Sequence, residues 1–296
     1  MEPLNEIQEK AYAKLNISLD VTGRRADGYH EMATVMQTVS LCDTLTLTLD
    51  DSGRVRASSN LRFIPTDGRN LAVRAASRYL ETIGEEGQGV QIRLDKSIPV
   101  GAGMAGGSTD AAAVLRAMNR LYDSRLSPER LLELAASVGS DVAFCVRGGT
   151  ALGKGRGEVL TPLPPMPDCR FVLCKPEFSI STPELFKKLD ASPLRRHPDT
   201  AGLIRALEQG QLRELCHRLY NVFEDVDDRR MRTVSHIKSR LLDFGALGAL
   251  MTGTGSAVFG VFAAEAAAEA ACAALQKEYS FCRVAKPVGA IHTGIS

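Results

Sequence analysis

Residues 99–109 read PVGAGMAGGST, with Gly101, Gly103, Gly106 and Gly107 ahead of a run of helical composition, DAAAVLRAMNRLYD. Glycines placed this way let backbone N–H groups converge on an anion, and the positive end of a following helix adds to their pull. Three chemistries use such a loop. As a bare pattern, Gly101, Gly103 and Gly106 match G-x-G-x-x-G, with Asp123 about where a dinucleotide site carries its ribose acid. The preceding IRLDKSIPV, however, is charged and carries a proline, unlike the buried parallel strand which that site requires. As a P-loop, GAGMAGGS has every element except the lysine, whose place Gly107 takes. What remains is a phosphate cradle that draws its cation from elsewhere in the chain. A plain turn before a capped helix needs only one or two glycines.

Candidates for that cation and for an acid–base partner lie far away in sequence. In AYAKLNISLDV, Ala13, Leu15, Ile17 and Leu19 alternate with Lys14, Asn16, Ser18 and Asp20, so Lys14 and Asn16 share a polar strand face. A lysine there is either a solvated strand edge or a charge aimed into a cleft. Asp141, in VGSDVAF, follows a helix end and either caps the next turn or works on a substrate. Gly253 and Gly255 in TGTGS read as a tight hairpin, as a close backbone approach to a ligand, or as both. The five histidines are dispersed and the seven cysteines form no C-x-x-C, so neither a metal cluster nor a disulfide framework is expected. The cysteines read as small buried apolar residues.

For these residues to meet, a sheet and several helices must carry them. AYAKLNISLDV, MATVMQTVSL, DTLTLTLD and GVQIRLDKSIPV read as strands of an antiparallel sheet. Three helices, over NLAVRAASRYLETIG, STDAAAVLRAMNRLYD and SPERLLELAASVG, should pack on it, with Ser127 as N-cap, Pro128 at the first helical position, and ends at Gly84 and Gly139. TPLPPMPD, with four prolines in eight residues, closes the first half and divides the chain into domains 1–162 and 163–296. Beyond it come a strand RFVLCKP, a largely helical stretch from Pro183 to Leu242, a strand pair in ALGALMTGTGSAVFGVF, an alanine-rich helix from Ala263 to about Glu278, and a last strand FCRVAKPV. Strands with helices between them, and no long βαβαβ series, make both halves α+β.

Bulk composition narrows the partners. Among 296 residues, 36 Lys+Arg against 35 Asp+Glu leave a net charge of +1, so a small-molecule substrate is expected rather than a nucleic acid or an anionic membrane. MEPLNEIQEK has neither the layout of a secretory signal nor that of a transit peptide, and no apolar run is long enough to cross a bilayer. The expectation is a cytoplasmic protein, monomeric or homodimeric.

The glycine loop between a sheet and a helix is similar to the ATP loop of the GHMP kinases, which include galactokinase and the homoserine, mevalonate and phosphomevalonate kinases. MTGTGSAVFGVF resembles their C-terminal glycine motif. AKLNISLDVTGRRADGYHEMATVMQTVSLCDTLTL, and DGYHEM above all, resembles the opening of the 4-diphosphocytidyl-2-C-methyl-D-erythritol kinases, the ATP-dependent step of the non-mevalonate isoprenoid route. NLAVRAA, GSDVAFCVRGGTALGKGRGE, STPELF and LYNVFE extend the resemblance over most of the chain. Departures are Ala102, Met104 and Ala105 in the loop, where glycine or leucine is frequent, and Thr252 and Thr254, where serine is frequent. These exchanges preserve the backbone cradle.

The resemblance implies an α+β, two-domain GHMP kinase fold with a ribosomal-S5-like N-terminal half that binds ATP and a ferredoxin-like C-terminal half. It implies phosphorylation of the 2-hydroxyl of 4-diphosphocytidyl-2-C-methyl-D-erythritol, with Mg²⁺ carried by ATP and no metal site of the protein's own. Pro99, Gly101, Gly103, Met104, Ala105, Gly106, Gly107, Ser108 and Thr109 would hold ATP, with Asn70, Leu71 and Lys96 on the adenine side. Lys14 and Asp141 would be the catalytic pair, the aspartate accepting or orienting the proton of the acceptor hydroxyl. Tyr29 would stack on cytosine with Phe186 as the opposite wall, His30 and Asn16 would bond its edge or nearby polar groups, and Thr182 would lie on the same side. Gly253 and Gly255 would admit the substrate diphosphate. Spacing alone makes Phe186 a core residue of an amphipathic helix. Two other readings remain: a GHMP kinase for a mevalonate- or homoserine-type alcohol, and a non-catalytic nucleotide or metabolite sensor on the same fold.

Overall fold

The computed structural model describes residues 5–191, 194 and 196–291. Two long antiparallel strands open it, β1 (Glu6–Arg24) and β2 (His30–Asp50), and their pairing shifts register at residues 12–14, 16–18 and 21–23 of β1. MATVMQTVSL and DTLTLTLD, expected as two strands, are one, because Cys42–Asp43 between them holds extended backbone opposite Ala11 and Tyr12. β3 (Val55–Ser59) runs parallel to β4 (Gly89–Asp95), and β4 pairs with residues 44–50 of β2. β5 (Thr150–Gly155) pairs with residues 32–37 of β2 and carries β6 (Val159–Pro162) at its outer side.

Against this sheet lie α1 (Leu71–Ile83) and α2 (Gly106–Leu121), followed by α3 (Pro128–Val138) and α4 (Ser140–Arg147). Asn70 caps α1 by accepting from the Ala72 N–H, and Gly84 ends it at φ 75°, a left-handed turn that glycine adopts without steric cost. Ser127 caps α3 by accepting from the Arg130 N–H, with Pro128 at the first helical position. α3 was expected on the sheet but packs chiefly on α1, α2 and α4. α4 was expected as no more than a turn. Val142, Ala143, Phe144, Cys145 and Val146 are all buried there, so an almost wholly apolar turn and a half is pinned as a helix against α2 and α3.

The second half runs through β7 (Arg170–Lys175), α5 (Thr182–Asp190), α6 (Thr200–Glu208), α7 (Leu212–His217), the short β8 (Tyr220–Asn221), α8 (Met231–Asp243), β9 (Gly248–Met251), β10 (Val258–Phe262), α9 (Glu265–Leu275) and β11 (Phe281–Ala285), and β7, β9, β10 and β11 form a second sheet. Its order β11-β7-β10-β9, with every neighbour antiparallel, is the ferredoxin-like arrangement. α9 is shorter at both ends than the expected span from Ala263 to about Glu278. The seven cysteines are free thiols, six buried and Cys42 half-buried.

Two segments of the C-terminal half leave their own sheet. β8 pairs with Ser18 and Leu19 of β1. Residues 286–291 return to the first half: the Val288 N–H donates to the Thr38 carbonyl (2.9 Å), Gln37 Nε2 donates to the Val288 carbonyl (3.0 Å), and the Ile291 N–H donates to the Arg147 carbonyl (2.8 Å). β1 is therefore a central strand with both faces covered. Its apolar residues Ala13, Leu15 and Ile17 pack with Phe171, Leu173 and Phe259 of the second sheet. Its polar residues Lys14, Asn16, Ser18 and Asp20 are each less than one-tenth exposed, which corrects the half-exposed strand read from alternation.

Candidate active site

A cleft of about 900 Å³ is lined by residues of both halves. On one side, the segment from Lys96 to Ala105 joins β4 to α2. Its path needs positive φ at Gly101 (66°) and Gly103 (75°) and ends at Ala105 with φ 59°, so α2 starts at Gly106, two residues before Ser108. Ala105 offers no side-chain acceptor, the first turn has no acid, and no side chain among the described residues caps the helix. The first N–H groups of α2 therefore have no intrahelical partner at the end where the helix dipole favours an anion. Gly106, Gly107 and Ser108 line the cleft at this point.

The loop is locked from the other half. A Cβ on Gly103 would lie 2.1 Å from the Thr252 carbonyl oxygen, and one on Gly101 2.5 Å from Ser179 Oγ. The Thr252 hydroxyl donates to the Gly103 carbonyl (3.3 Å) and the Ala257 N–H to the Ala102 carbonyl (3.1 Å). Gly253 (φ 58°) and Gly255 (φ 84°), in the turn between β9 and β10, also line the cleft, so they serve the hairpin and the site together.

Beneath the loop, Lys96 Nζ lies 2.5 Å from both Asp43 Oδ2 and Asp110 Oδ2, and 3.4 Å from the Gly106 carbonyl. Asp43 Oδ1 accepts from the N–H groups of Ser97 (2.5 Å) and Ile98 (2.7 Å). Lys96, expected on the adenine side, lines the cleft but places its ammonium on two buried carboxylates under the cradle. Burial pushes the Asp110 carboxyl up to about 7, the Lys96 ammonium opposes that shift and Asp43 adds to it. Asp110 Oδ1 is buried with no hydrogen-bond partner among the described residues. Asn70, besides capping α1, donates from Nδ2 to the Pro65 carbonyl (2.8 Å), and it lines the cleft with Leu71, Pro65, Ile64 and Arg69. Pro99, Met104 and Ala105 line it as expected. Thr109 does not: it is 1% exposed, and its hydroxyl donates to the Gly106 carbonyl (2.8 Å) inside the helix's first turn.

Where the cradle meets the second half, Lys14 Nζ lies 3.6 Å from Asp141 Oδ2. The ammonium side is buried, 6% exposed, while the carboxylate side chain is 36% exposed to the cleft, in the first turn of α4. Lys14 is aimed by Asn16, whose Oδ1 accepts from Nζ at 2.7 Å. Asn16 Nδ2 donates to Thr34 Oγ1 (2.8 Å), Thr34 donates to the Ser18 carbonyl (2.7 Å), and the Asn16 N–H donates to Thr252 Oγ1 (3.0 Å). Asn16, expected at the nucleobase edge or on nearby polar groups, has its amide oxygen on Lys14 and its amide nitrogen on Thr34. Thr34 and Thr252 were not singled out as site residues from sequence; a threonine beside a glycine and one in the middle of a strand carry no distinguishing pattern.

The remaining wall is aromatic. Tyr29 is 57% exposed, with the Arg156 guanidinium 5.1 Å above its ring, a cation–π contact. His30 stacks on Phe186 (centroids 4.5 Å apart, planes at 27°), and its Nε2 is 2.7 Å from Asp190 Oδ1. Phe186 meets Phe223 edge-on at 4.8 Å. A sandwich of Tyr29 and Phe186 was expected, but here the ring stacked on Phe186 is His30, held there by Asp190. Thr182 Oγ1 lies 2.8 Å from Thr254 Oγ1, tying the start of α5 to the glycine turn. Arg156, between two glycines in GKGRGE, lines the cleft and was passed over in the sequence. Among the described residues no three His, Cys, Asp or Glu side chains group as a metal site.

Comparison with known proteins agrees with this geometry. The GHMP kinases N terminal domain matches residues 70–149, and the GHMP kinases C terminal domain matches residues 203–280. The 4-diphosphocytidyl-2-C-methyl-D-erythritol kinase of Bacillus subtilis (strain 168) is 47% identical over 255 residues, covering 86% of this chain and 88% of the relative. That of Syntrophomonas wolfei is 44% identical over 270 residues, covering 91% and 94%. A crystal structure of 4-(cytidine 5'-diphospho)-2C-methyl-D-erythritol kinase matches with a TM-score of 0.78 and 33% identity, over 96% of this chain and 100% of that one. The L. major mevalonate kinase in complex with R-mevalonate, at TM-score 0.76 and 16% identity over 97% and 99% of the two chains, shares the fold alone. The α+β chain that carries this cradle and this lysine–aspartate pair belongs to the 4-diphosphocytidyl-2-C-methyl-D-erythritol kinases of the GHMP kinase superfamily.

Proposed function

We propose that the protein transfers the γ-phosphoryl group of ATP to the 2-hydroxyl of 4-diphosphocytidyl-2-C-methyl-D-erythritol. The observation that carries this reading is the Lys14–Asp141 pair, 3.6 Å apart in the same cleft as the uncapped start of α2. Membership in the GHMP kinases supports ATP as the donor. Its phosphates rest on the backbone N–H groups of the loop from Gly101 to Ser108, and Asn70 and Leu71 flank the base. Mg²⁺ carried by ATP would supply charge neutralisation on the transferred phosphates. Lys14 supplies the positive charge that Gly107 leaves out of the loop, at the point where charge moves between acceptor and phosphoryl oxygens. Asp141 accepts a hydrogen bond from the acceptor hydroxyl and aligns it, since a loose phosphoryl-transfer transition state asks for little deprotonation.

The cytidyl end lies against Tyr29, His30, Phe186 and Thr182, and its diphosphate runs along the backbone of Gly253 and Gly255. Residues 1–162 act as the nucleotide domain and residues 163–296 as the substrate domain, with Tyr29 and His30 reaching across. No helix of the described residues is long and apolar enough to cross a membrane. The proposed enzyme acts on a small molecule in the cytoplasm, as a monomer or homodimer, and a net charge of +1 gives it no general pull toward nucleic acid. A coupled ADP-release assay tests the reading. Turnover is expected with the cytidyl substrate and not with mevalonate or homoserine; turnover of either of the latter alone would overturn the specificity.

A further inference from the structure

Arg116, on α2, is 2% exposed and does not line the cleft. Burying a guanidinium is strongly unfavourable unless its donors are satisfied, so what it bonds defines why it is there. Nε donates to Glu9 Oε1 (3.0 Å), Nη1 to the Cys145 carbonyl (2.8 Å) and Nη2 to the Lys10 carbonyl (2.8 Å). The backbone acceptors belong to the two elements that carry the reacting pair. Lys10 precedes Lys14 by four residues on β1, and Cys145 follows Asp141 by one helical turn on α4. Arg116 itself rides on the helix whose first turn is the phosphate cradle.

In both elements the backbone near the reacting residue has a local irregularity that Arg116 meets. α4 has eight residues, so half of its carbonyls lack an intrahelical donor. The Phe144 carbonyl takes the Gly148 N–H (2.7 Å), the Arg147 carbonyl takes the Ile291 N–H (2.8 Å), and the Cys145 carbonyl takes Arg116. On β1, the pairing with β2 shifts register between Tyr12 and Lys14, just where a regular ladder would otherwise carry the placement of Lys14 forward from Lys10.

We infer that Arg116 is a positioning residue for phosphoryl transfer: its one planar fork sets the spacing of Lys14, Asp141 and the cradle. This rests on the reading of Lys14 and Asp141 as the reacting pair. A lysine could not replace it, because a single ammonium lacks the rigid fork that meets divergent acceptors together. Arg116 does not line the cleft and touches neither substrate, so the expected effect is on the alignment of the reacting groups, that is, on the chemical step.

The test is Arg116→Ala and Arg116→Lys in the full chain, assayed beside wild type with both substrates varied and rates expressed per folded protein from circular dichroism. For Arg116→Ala the expected loss in kcat is on the order of 10²-fold, as for a small misplacement of reacting groups, with KM for ATP and acceptor unchanged. Arg116→Lys is expected to lose about tenfold in kcat with the same KM pattern. Guanidinium ion at sub-denaturing concentration should restore part of kcat to Arg116→Ala and none to Asp141→Asn. Glu9 keeps Arg120 at 3.1 Å in both variants, so neither leaves an orphaned carboxylate. A folded variant with unchanged kcat, a loss confined to KM, or an absence of guanidinium rescue overturns the inference; should Arg116→Ala not fold, Arg116→Lys decides by the same split. Wild type inert on the cytidyl substrate would instead refute the proposed function, and the Arg116 ratios are then read on whichever alcohol wild type phosphorylates.

Discussion

On the proposed reading, the nucleotide side and the acceptor side of the cleft are made of different materials. The first is backbone: glycines at positive φ, a helix start with no side-chain cap, and two loops so close that a Cβ on Gly103 would strike the Thr252 carbonyl at 2.1 Å. The second is side chain: Lys14 aimed by Asn16, Asn16 held by Thr34 and Thr252, Asp141 facing them, and His30 stacked on Phe186. A backbone site tolerates changed side chains, as Ala102, Met104 and Ala105 illustrate, but not a Cβ at the points of closest approach, Gly101 and Gly103. A side-chain site behaves in the opposite way. The two ends should therefore fail differently when altered.

The largest separation is expected from Asp141→Asn, which should lower kcat about 10³-fold while leaving KM for ATP in place. Steady-state kinetics with ATP varied would break the comparison if affinity fell as far as turnover. Next is Gly103→Ala, where a new methyl at φ 75° meets carbonyl oxygen. Strain of about 1–3 kcal/mol should lower Tm and raise KM for ATP about tenfold. Gly107→Ala is its control: the nearest atom to its Cβ is Leu71 Cδ1 at 3.7 Å, and any loss should appear in KM for ATP with Tm maintained. Phe186→Ala removes a ring from the acceptor side and should raise KM for the cytidyl substrate about tenfold, in line with the usual worth of base stacking, with ATP kinetics unmoved.

The smallest effect concerns pH. The Asp110 carboxyl is raised from 3.8 to about 7 in the folded chain, so between those values the folded state holds a proton that the unfolded state has released. Stability from this group is full at acid pH and is lost as pH climbs through about 7. Thermal melts between about pH 5 and pH 8 should show wild type losing Tm relative to Asp110→Asn, which carries no such proton. Parallel slopes for the two would place the buried charge elsewhere than under the cradle.

This contrast of materials also explains what could be read in advance. The glycine loop was legible because glycines spaced for backbone donors leave a mark in the sequence, and so do the cap Ser127 and the stops Gly84 and Gly139, whereas Asn70 reads only as a site residue and not as the cap of α1. The alternation of β1 predicted a strand but not what covers its polar face, because β8 and the turn at Thr252 come from some two hundred residues later. The resemblance places Lys96 on the adenine side, and nothing near it in sequence marks its true partners, since its carboxylates lie 53 and 14 residues away and only the fold unites them. α4 was hidden by Gly139-Ser140, which signals a break, although the apolar residues after Asp141 are what drive the helix into the core. Gly106 and Gly107 read as loop, yet they form the first turn of α2, where missing side chains open the helix end to a ligand. Recognition of the family supplied the pairing of Lys14 with Asp141, which no local pattern reveals.

The return of residues 286–291 to β2 and α4 has a consequence for the birth of the protein. The bond from Gln37 to Val288 spans 251 residues, and contacts of such separation form late in folding. A ribosome releases Lys14 and Asp141 long before it has made the strand that flanks β1 or the N–H of Ile291 that donates to the Arg147 carbonyl. Until then the helix that carries Asp141 has an open C-terminal carbonyl, and on the proposed reading the cleft is still unfinished.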